Sequence, residues 1–376
     1  MLMMARNVTR ASGSGDDAPM STELDDFALD DFGGLLNWPN LQEWIVAQPG
    51  LPGAGPVTAV ERLTGGSQNN IFLLSRGATK VVLRRPPLHL RKNSNDTMLR
   101  EARVLGALSG SDVPHPAFYG VCADTDVIGT TFYLMEPIDG FTPMGDMPGR
   151  YATDASWRQA IGYEIVDGAA KLGAIDPDAV GLGDFGKPEN WIERQVSRWR
   201  SQLDGYAQFE NYGTSDIPNV DRVGAWLDAN RPADAKIGII HGDYQFANVM
   251  MAPNEPKLAA IVDWELSTLG DPLLDLGWVL TSWIEPGDPP GKAPLLQPWE
   301  GMQSRADLIA RYAETSGRDV SDMPWFFVMA CYKLGILLEG THARAGAGQA
   351  DPGMGDIFHS MTLWLFARAN QSIDEA

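Results

Sequence analysis

Residues 239–250, with the sequence IIHGDYQFANVM, place a histidine, an aspartate and an asparagine between two apolar runs. A second apolar segment follows, KLAAIVDWE at residues 257–265. The two segments flank APNEP, which is typical of a hairpin turn because proline and asparagine favour turn conformations. The pattern therefore predicts a short β-hairpin with Asp243 and Asn248 before it and Asp263 after it.

These three polar residues point to a phosphoryl-transfer site. In that chemistry one carboxylate accepts the proton of the attacking hydroxyl, while an amide oxygen and a second carboxylate hold Mg²⁺ against the phosphates. Oxygen donors are the ligands that Mg²⁺ prefers. The spacing predicts Asp243 as the proton acceptor and Asn248 and Asp263 as metal ligands. Taken alone, His241 and Asp243 also fit a turn cap beside a buried histidine.

The same segments resemble a known family. HGDYQFANVM and IVDWE are similar to the catalytic and metal-binding segments of the aminoglycoside phosphotransferase and choline kinase family, which is related to the protein kinases. The continuation GDPLLDLGWVL also matches this family, so the resemblance covers residues 241–280 with several fixed spacings.

The resemblance implies a role for each matched residue. Asp243 corresponds to the catalytic base, Asn248 and Asp263 to the Mg²⁺ ligands, and His241 to a residue that shapes the loop. Two further carboxylates, implied to cap a helix and to orient the catalytic loop, are Asp271 and Asp275.

A glycine-rich segment, LTGGSQNNIFLL at residues 63–74, lies between two predicted strands. Small residues at such a turn let backbone amides approach phosphates closely. The segment resembles the phosphate loop of the family. The residues implied to lie near the nucleotide are Gly65, Gly66, Ser67, Gln68 and Asn69.

The strand TKVVLRRPP has Arg84 where the family normally has a lysine that binds the α- and β-phosphates and pairs with a helix glutamate. Glu101 matches that glutamate, so we expect an ion pair between Arg84 and Glu101. Arginine binds phosphate and carboxylate with a different geometry from lysine. LRRPP-like strings resemble a branch of the family whose domains are fused to acyl-CoA dehydrogenases. FYLMEPIDG resembles the adenine-binding hinge, with the residues Met135, Glu136 and Ile138.

The hydrophobic periodicity predicts two lobes. Between Val57 and Ile138, period-two alternation indicates three strands, a helix and two more strands. Helical patterns then predominate, roughly at 154–174, 190–210, 219–230, 303–316, 322–343 and 355–370. With the resemblance, this implies an α+β, protein-kinase-like fold of two lobes. Its predicted parts are a mobile acidic extension (1–35), an N-terminal nucleotide-binding lobe with an antiparallel sheet (36–138) and a mainly helical lobe with the catalytic loop and substrate site (139–376).

Composition limits the partners. Forty-nine acidic against 29 basic residues give a formal net charge of −20, which disfavours nucleic acid and anionic membranes. No apolar run reaches the ~18 residues of a membrane span, and the first residues lack the apolar core of a signal peptide. Cys122 and Cys331 lie far apart in apolar sequence, as free thiols do in a reducing compartment. We expect a cytoplasmic protein without a nucleic acid or membrane partner.

The expected function is an ATP-dependent O-phosphotransferase with Mg²⁺ as cofactor. It would move the γ-phosphate of ATP to a hydroxyl of a small molecule, either aminoglycoside-like or another alcohol. The acidic balance suits a cationic acceptor.

Three alternatives stay open. A hydroxyacyl-CoA kinase is suggested by the LRRPP branch and by a basic run that could meet CoA phosphates or form a solvated face; its members are Arg76, Lys80, Arg84, Arg85, Arg91 and Lys92. A nucleotide-binding pseudokinase without transfer activity is suggested by Arg84 in place of lysine. A protein kinase is the third, although no peptide-docking feature supports it.

Overall fold

The computed structural model describes residues 29–63, 69–90, 92–212 and 217–376. The chain divides into two units, one of Met1–Gly110 with His115–Phe141 and the other of Ser111–Pro114 with Thr142–Ala376. The sequence predicts this boundary after residue 138, and the structure divides the chain after Phe141.

The N-terminal unit contains the predicted sheet of five antiparallel strands, in the order β1-β2-β3-β5-β4. Burial alternates along β2, as the period-two pattern requires, whereas β3 is buried continuously from Val81 to Arg85. The elements are α1 (Trp38–Val46), β1 (Ala59–Leu63), β2 (Asn70–Arg76), β3 (Thr79–Arg85), α2 (Ser94–Leu108), β4 (Phe118–Cys122) and β5 (Phe132–Met135).

The core of this unit includes residues that the sequence assigns to the mobile extension. Leu35 is only 4% exposed, and Phe32 packs its ring 5.0 Å from that of Phe72 on β2. The prediction that the mobile extension continues to residue 35 is corrected at its end, because the last of these residues contribute apolar side chains to the core. Residues 1–28 of the predicted extension lie outside the described residues.

The C-terminal unit is mainly helical, as predicted. Its helices are α3 (Gly149–Thr153), α4 (Ala155–Gly173), α5 (Gln195–Gly205), α6 (Val220–Ala229), α7 (Leu273–Thr281), α8 (Arg305–Ser316), α9 (Met323–Gly346) and α10 (Pro352–Glu375). Every residue of α7 is buried, so no amphipathic stripe marks this helix in the sequence.

Three two-stranded ladders are set among these helices. The predicted hairpin is present as β8 (Val249–Met251) and β9 (Leu258–Ile261). The strands of the other two pairs are β7 (Gly238–Ile240) with β10 (Thr268–Gly270), which are antiparallel, and β6 (Gly145–Asp146) with β11 (Leu296–Gln297), which are parallel. The residues that follow β7 and β9 form the polar part of the candidate site.

Helix α9 has the length and apolar composition of a membrane span, but 78% of its most apolar window is buried inside the protein. It packs against α7 and α10. Its composition is therefore accounted for by its position as a central helix of this unit.

Candidate active site

The hairpin brings Asn248 and Asp263 to the same end of two paired strands. Val249 lies opposite Ile261, and the Val262 N–H donates to the Asn248 carbonyl at 2.9 Å. Asp263 is the next residue, so local chain geometry places both predicted metal ligands at the same end of the ladder.

Asp263 has an unusual backbone conformation. Its φ of 68° and ψ of 66° lie in the left-handed region, which residues other than glycine seldom adopt. Such a conformation costs free energy and persists only where the surroundings fix it, most often at functional sites. The conformation ends the β9 segment and turns the chain at the half-buried Asp263 carboxylate.

Three donors hold the carboxylate of Asp243. Trp278 Nε1 and Gln245 Nε2 donate to its Oδ1 at 3.1 and 2.7 Å, and Asn248 Nδ2 donates to its Oδ2 at 2.9 Å. Carboxylate oxygens accept hydrogen bonds, so these three donors fix the orientation of the group. Asn248 Nδ2 also donates to the Asp243 carbonyl at 2.9 Å, so its amide oxygen is the atom that suits a metal.

Asp275 fixes the loop that carries Asp243 through hydrogen bonds to the loop backbone. This buried carboxylate accepts the backbone N–H groups of His241 and Gly242 at 2.6 and 3.0 Å. Burial raises the pKa of Asp275, while the imidazole of His241 and the two backbone donors oppose that shift. Asp275 thus orients from α7 the loop that carries Asp243, which is the supporting role that the resemblance implies.

His241 connects the loop to the chain just before Asp263. Its Nε2 lies 3.0 Å from the Val262 carbonyl, and the Asp243 N–H donates to its Nδ1 at 3.4 Å. These partners place a proton on Nε2, because Nδ1 accepts the Asp243 N–H and Nε2 faces a carbonyl oxygen. The ring lies within the protein, so it shapes the loop.

Gly242 is required between His241 and Asp243. Its φ is +83°, and a Cβ at this position would lie 2.4 Å from the backbone oxygen of Leu266. Any other residue would therefore be strained in its backbone and would displace the chain that follows Asp263.

Asp271 supports the start of α7. Its carboxylate accepts the Leu273 N–H and the Lys236 N–H, both at 3.0 Å, and forms an ion pair with the half-buried Arg318 at 2.9 Å. This is the supporting role that the resemblance implies, and it fixes the helix from which Asp275 and Trp278 project.

Lys333 is a residue of this site that the sequence analysis missed. Its Nζ donates to the Gly242 carbonyl at 3.1 Å and lies 4.4 Å from the ring centre of Trp278. Burial lowers the pKa of Lys333 to about 8, although the charges of Asp275 and Asp243 oppose the shift. The available signal was a single lysine in the apolar run MPWFFVMACYKLGILL of α9.

In the N-terminal unit the predicted ion pair is present. Arg84 Nε lies 2.9 Å from Glu101 Oε2, and both side chains are buried. Tyr133, on β5 opposite Arg84, donates its hydroxyl to the same Glu101 oxygen at 2.8 Å. Lys80, the other basic residue on the same predicted strand face, is exposed.

The predicted hinge follows β5. Met135 ends the strand, and the Glu136 N–H donates to the Ala117 carbonyl at 2.9 Å. Because the Glu136 N–H is already bonded, the carbonyl is the backbone group of this residue that suits a hydrogen bond from an adenine N–H. Ile138 is half-buried. In the predicted phosphate loop, Gly65, Gly66, Ser67 and Gln68 lie outside the described residues, and Asn69 directly precedes β2.

The basic run does not form a single exposed face, which corrects both readings of the sequence, a surface that meets CoA phosphates and a solvated face. Arg76 donates to the carbonyls of Leu51 and Gly55 at 3.1 and 2.7 Å, and Arg85 donates to that of Ile128 at 3.3 Å. Both are buried, as is Arg84. Burial lowers the pKa of Arg85 to about 10. Of the others, Lys80 and Lys92 are exposed, and Arg91 lies outside the described residues.

A small antiparallel sheet with a helix between its third and fourth strands, and a helical unit whose hairpin carries these polar groups, define the kinase-like class of phosphotransferases. A model of the family described as "Phosphotransferase enzyme family" matches residues 59–313. The chain therefore belongs to this family.

Solved structures agree with this assignment. The crystal structure of a proposed aminoglycoside phosphotransferase from Ralstonia eutropha JMP134 is 31% identical, with a TM-score of 0.73, over 89% of this chain and 98% of that one. A choline kinase from Cryptosporidium parvum is 13% identical, with a TM-score of 0.52, over 84% of this chain and 89% of that one, and shows the fold alone. These similarities confirm the predicted fold.

The curated relatives carry the domain as part of longer chains. Acyl-CoA dehydrogenase family member 11 of Rattus norvegicus is 31% identical over 310 residues, which is 78% of this chain and 38% of that protein. Family member 10 of Mus musculus is 29% identical over 343 residues, which is 87% of this chain and 31% of that protein. The chain thus spans less than two fifths of either relative, and the predicted resemblance to this branch is confirmed.

Proposed function

We propose that this protein transfers the γ-phosphate of MgATP to a hydroxyl of a small molecule. The observation that carries the proposal is the set of three donors on the Asp243 carboxylate, from Trp278, Gln245 and Asn248. They orient a proton acceptor beside the amide of a candidate metal ligand. This arrangement suits a group that takes a proton from an alcohol as the phosphate is transferred.

In the proposed reaction Asp243 accepts the proton of the attacking hydroxyl, and the buried contacts of Asp275 and His241 keep its loop in position. Asn248 and Asp263 would hold Mg²⁺ through oxygen atoms, the donor type that this ion prefers. When bound, the ion neutralises charge that develops on the β- and γ-phosphate oxygens. Phosphoryl transfer depends mostly on such positioning and charge stabilisation.

The N-terminal unit would bind the nucleotide. Arg84 would contact the α- and β-phosphates. Glu101 holds its guanidinium group at Nε, and Tyr133 in turn holds the Glu101 carboxylate. Backbone amides of Gly65–Asn69 would contact the phosphates, and Met135, Glu136 and Ile138 would surround adenine. An aminoglycoside phosphotransferase of the same fold has been solved as a ternary complex with AMP-PNP and hygromycin B, which supports nucleotide use.

Two acceptor classes merit testing. An aminoglycoside-like or other cationic alcohol is favoured by the net charge of −20 and by the similarity to the Ralstonia structure. A hydroxyacyl-CoA is the second, because the curated relatives are acyl-CoA dehydrogenase family members. The burial of Arg76, Arg84 and Arg85 removes the basic run as an argument for that acceptor.

The test is an ATP-consumption assay with purified protein and Mg²⁺ over a panel of aminoglycosides, amino alcohols, sugars and hydroxyacyl-CoAs. Asp243→Asn protein, prepared in the same way, measures contaminating kinases. We expect transfer to at least one acceptor by the parent protein and its loss in the variant. MgATP binding without transfer to any acceptor would identify a nucleotide-binding pseudokinase instead.

A further inference from the structure

Helices α9 and α10 each carry a carboxylate followed three residues later by a histidine. The two sequences are EGTH at residues 339–342 and DIFH at residues 356–359. The helices run antiparallel, because the pairs Gly335 with Thr362 and Glu339 with His359 progress in opposite directions. Residues three apart share one helix face, so each helix presents both groups to the other.

The four side chains form one cluster outside the candidate active site. His359 Nδ1 lies 2.8 Å from Glu339 Oε2, and His342 Nδ1 lies 4.0 Å from Asp356 Oδ1. The two imidazole rings stack with centroids 4.4 Å apart. One ligand atom each from Glu339, His342 and His359 lies within 4.8 Å of the others.

Tyr212 orients the Glu339 carboxylate of this cluster. Glu339 is fully buried, and the Tyr212 hydroxyl donates to its Oε1 at 3.0 Å, while Oε2 faces His359. The ring of Tyr212 also meets that of His342 edge-on at 6.3 Å. A hydrogen-bonded helix pair accounts for Glu339 and His359, but it does not require a second imidazole stacked on the first.

We propose that Glu339, His342 and His359 bind one divalent transition-metal ion of the Zn²⁺ class, with Asp356 or water as a fourth ligand. Two imidazole nitrogens and a carboxylate suit Zn²⁺ or Co²⁺, whereas Mg²⁺ prefers oxygen ligands alone. The Tyr212 hydroxyl would orient the carboxylate, as outer partners of metal ligands do.

The dimensions allow this ion with small side-chain movements. Bonds of about 2.0–2.2 Å to nitrogen and oxygen place the ligand atoms of a tetrahedral site about 3.4 Å apart. The contact between His359 and Glu339 would lengthen, and the remaining separations would shorten. Coordination through His359 Nδ1 would use the neutral ring with its proton on Nε2, because a ligating nitrogen must be deprotonated.

The ion would join α9 to α10 a few turns from Lys333. Binding to the folded state alone stabilises a protein by mass action. The proposal therefore predicts a rise in melting temperature on addition of Zn²⁺ that depends on both histidines.

The test uses the full chain without a histidine tag, stripped with a chelator and held in excess Mg²⁺ so that oxygen-ligand sites are occupied. Zn²⁺ is titrated by calorimetry, and Co²⁺ absorption reports the ligand set. We expect one ion per chain. Loss of an outer partner typically weakens metal binding ~10- to 100-fold, so loss of a ligand in His342→Ala or His359→Gln should cost at least tenfold.

His89→Ala is the matched control, because His89 is an exposed histidine of the N-terminal unit. His359→Gln retains a donor for Glu339, and melting curves without metal establish that each variant is folded. Absence of Zn²⁺ binding by the parent would overturn the proposal. Equal affinity in the parent and both ligand variants would do so too, and would indicate an adventitious ion only.

Discussion

At the scale of single residues, Asp243 carries the proposed chemistry. Its carboxylate is held by donors from both sides, so replacement by asparagine keeps the size of the side chain and removes the proton acceptor. General-base help contributes typically ~10²- to 10⁴-fold to a rate. We therefore expect Asp243→Asn to lower single-turnover phosphate transfer by that factor.

MgATP affinity should change little in Asp243→Asn, because Asn248, Asp263 and Arg84 remain. Both quantities are measured on one preparation, by rapid quench and by equilibrium titration. Near-parental turnover would show that Asp243 is not the base. Equal loss of binding and turnover would make it a metal ligand or a structural residue.

Lys333 tests whether a buried cation holds the catalytic loop. Lys333→Met keeps much of the side-chain volume but removes the donor to the Gly242 carbonyl. Hydrogen bonds to charged groups contribute about 1.5–3 kcal/mol, so transfer should fall about 10- to 100-fold. The substitution leaves the pair of Glu101 and Arg84 in the N-terminal unit unchanged, so nucleotide affinity should be retained. Parental turnover in Lys333→Met would remove Lys333 from the site.

The lowered pKa of Lys333 also predicts a pH dependence. Its pKa is about 8 in the folded protein and about 10.4 in an unfolded chain, so between these values the unfolded state binds more protons. The contribution of Lys333 to the free energy of unfolding should therefore increase as pH rises from about 8 to about 10.4, by at most about 1.4 kcal/mol per pH unit. Urea titrations should show this gain in the parent and lack it in Lys333→Met.

At the scale of elements, strand β3 and helix α2 are joined by the pair of Arg84 and Glu101. Removing one partner of a buried ion pair leaves an uncompensated charge and costs about 3–5 kcal/mol. Arg84→Met alone should destabilise the protein by about that amount. The double variant with Glu101→Gln removes both charges and should recover most of the stability.

Nucleotide affinity separates the two roles of Arg84. If Arg84 contacts phosphates, the double variant should still bind MgATP with reduced affinity, even though its urea midpoint recovers. Recovery of both quantities would show that the arginine acts only by pairing with Glu101, and Lys80 would then be the better phosphate-binding candidate.

At the scale of the whole molecule, bound nucleotide should stabilise the chain against unfolding. A ligand that binds only the folded state adds about 2.7 kcal/mol at 100 times its dissociation constant. MgATP should therefore raise the melting temperature of the parent. Asp263→Ala should abolish the part of this shift that needs Mg²⁺, since a carboxylate that would hold the ion is lost.

The control for Asp263→Ala is Glu265→Ala, which removes a carboxylate two residues away from the same chain segment. An unchanged Mg²⁺-dependent shift in Asp263→Ala would exclude Asp263 as a ligand. A parental shift in Glu265→Ala would show that the effect belongs to Asp263 rather than to local charge.

The sequence by itself determined the fold class and the polar residues of the hairpin. Asp243, Asn248 and Asp263 lie within one short stretch, and pairing of β8 with β9 brings the last two together by local geometry. The five strands of the N-terminal sheet were predicted from the alternating pattern of their sequence, although burial follows that alternation in β2 and not in β3.

The tertiary structure alone decided which distant side chains support those residues. Lys333 meets Gly242 across 91 positions, and Trp278 meets Asp243 across 35. The two carboxylate–histidine pairs face each other only because α9 and α10 pack antiparallel. No local periodicity encodes such contacts, since their partners are chosen by how buried helices pack. For the same reason, Arg76, Arg84 and Arg85 of the basic run could be assigned to the interior only from their contacts with backbone carbonyls and with Glu101.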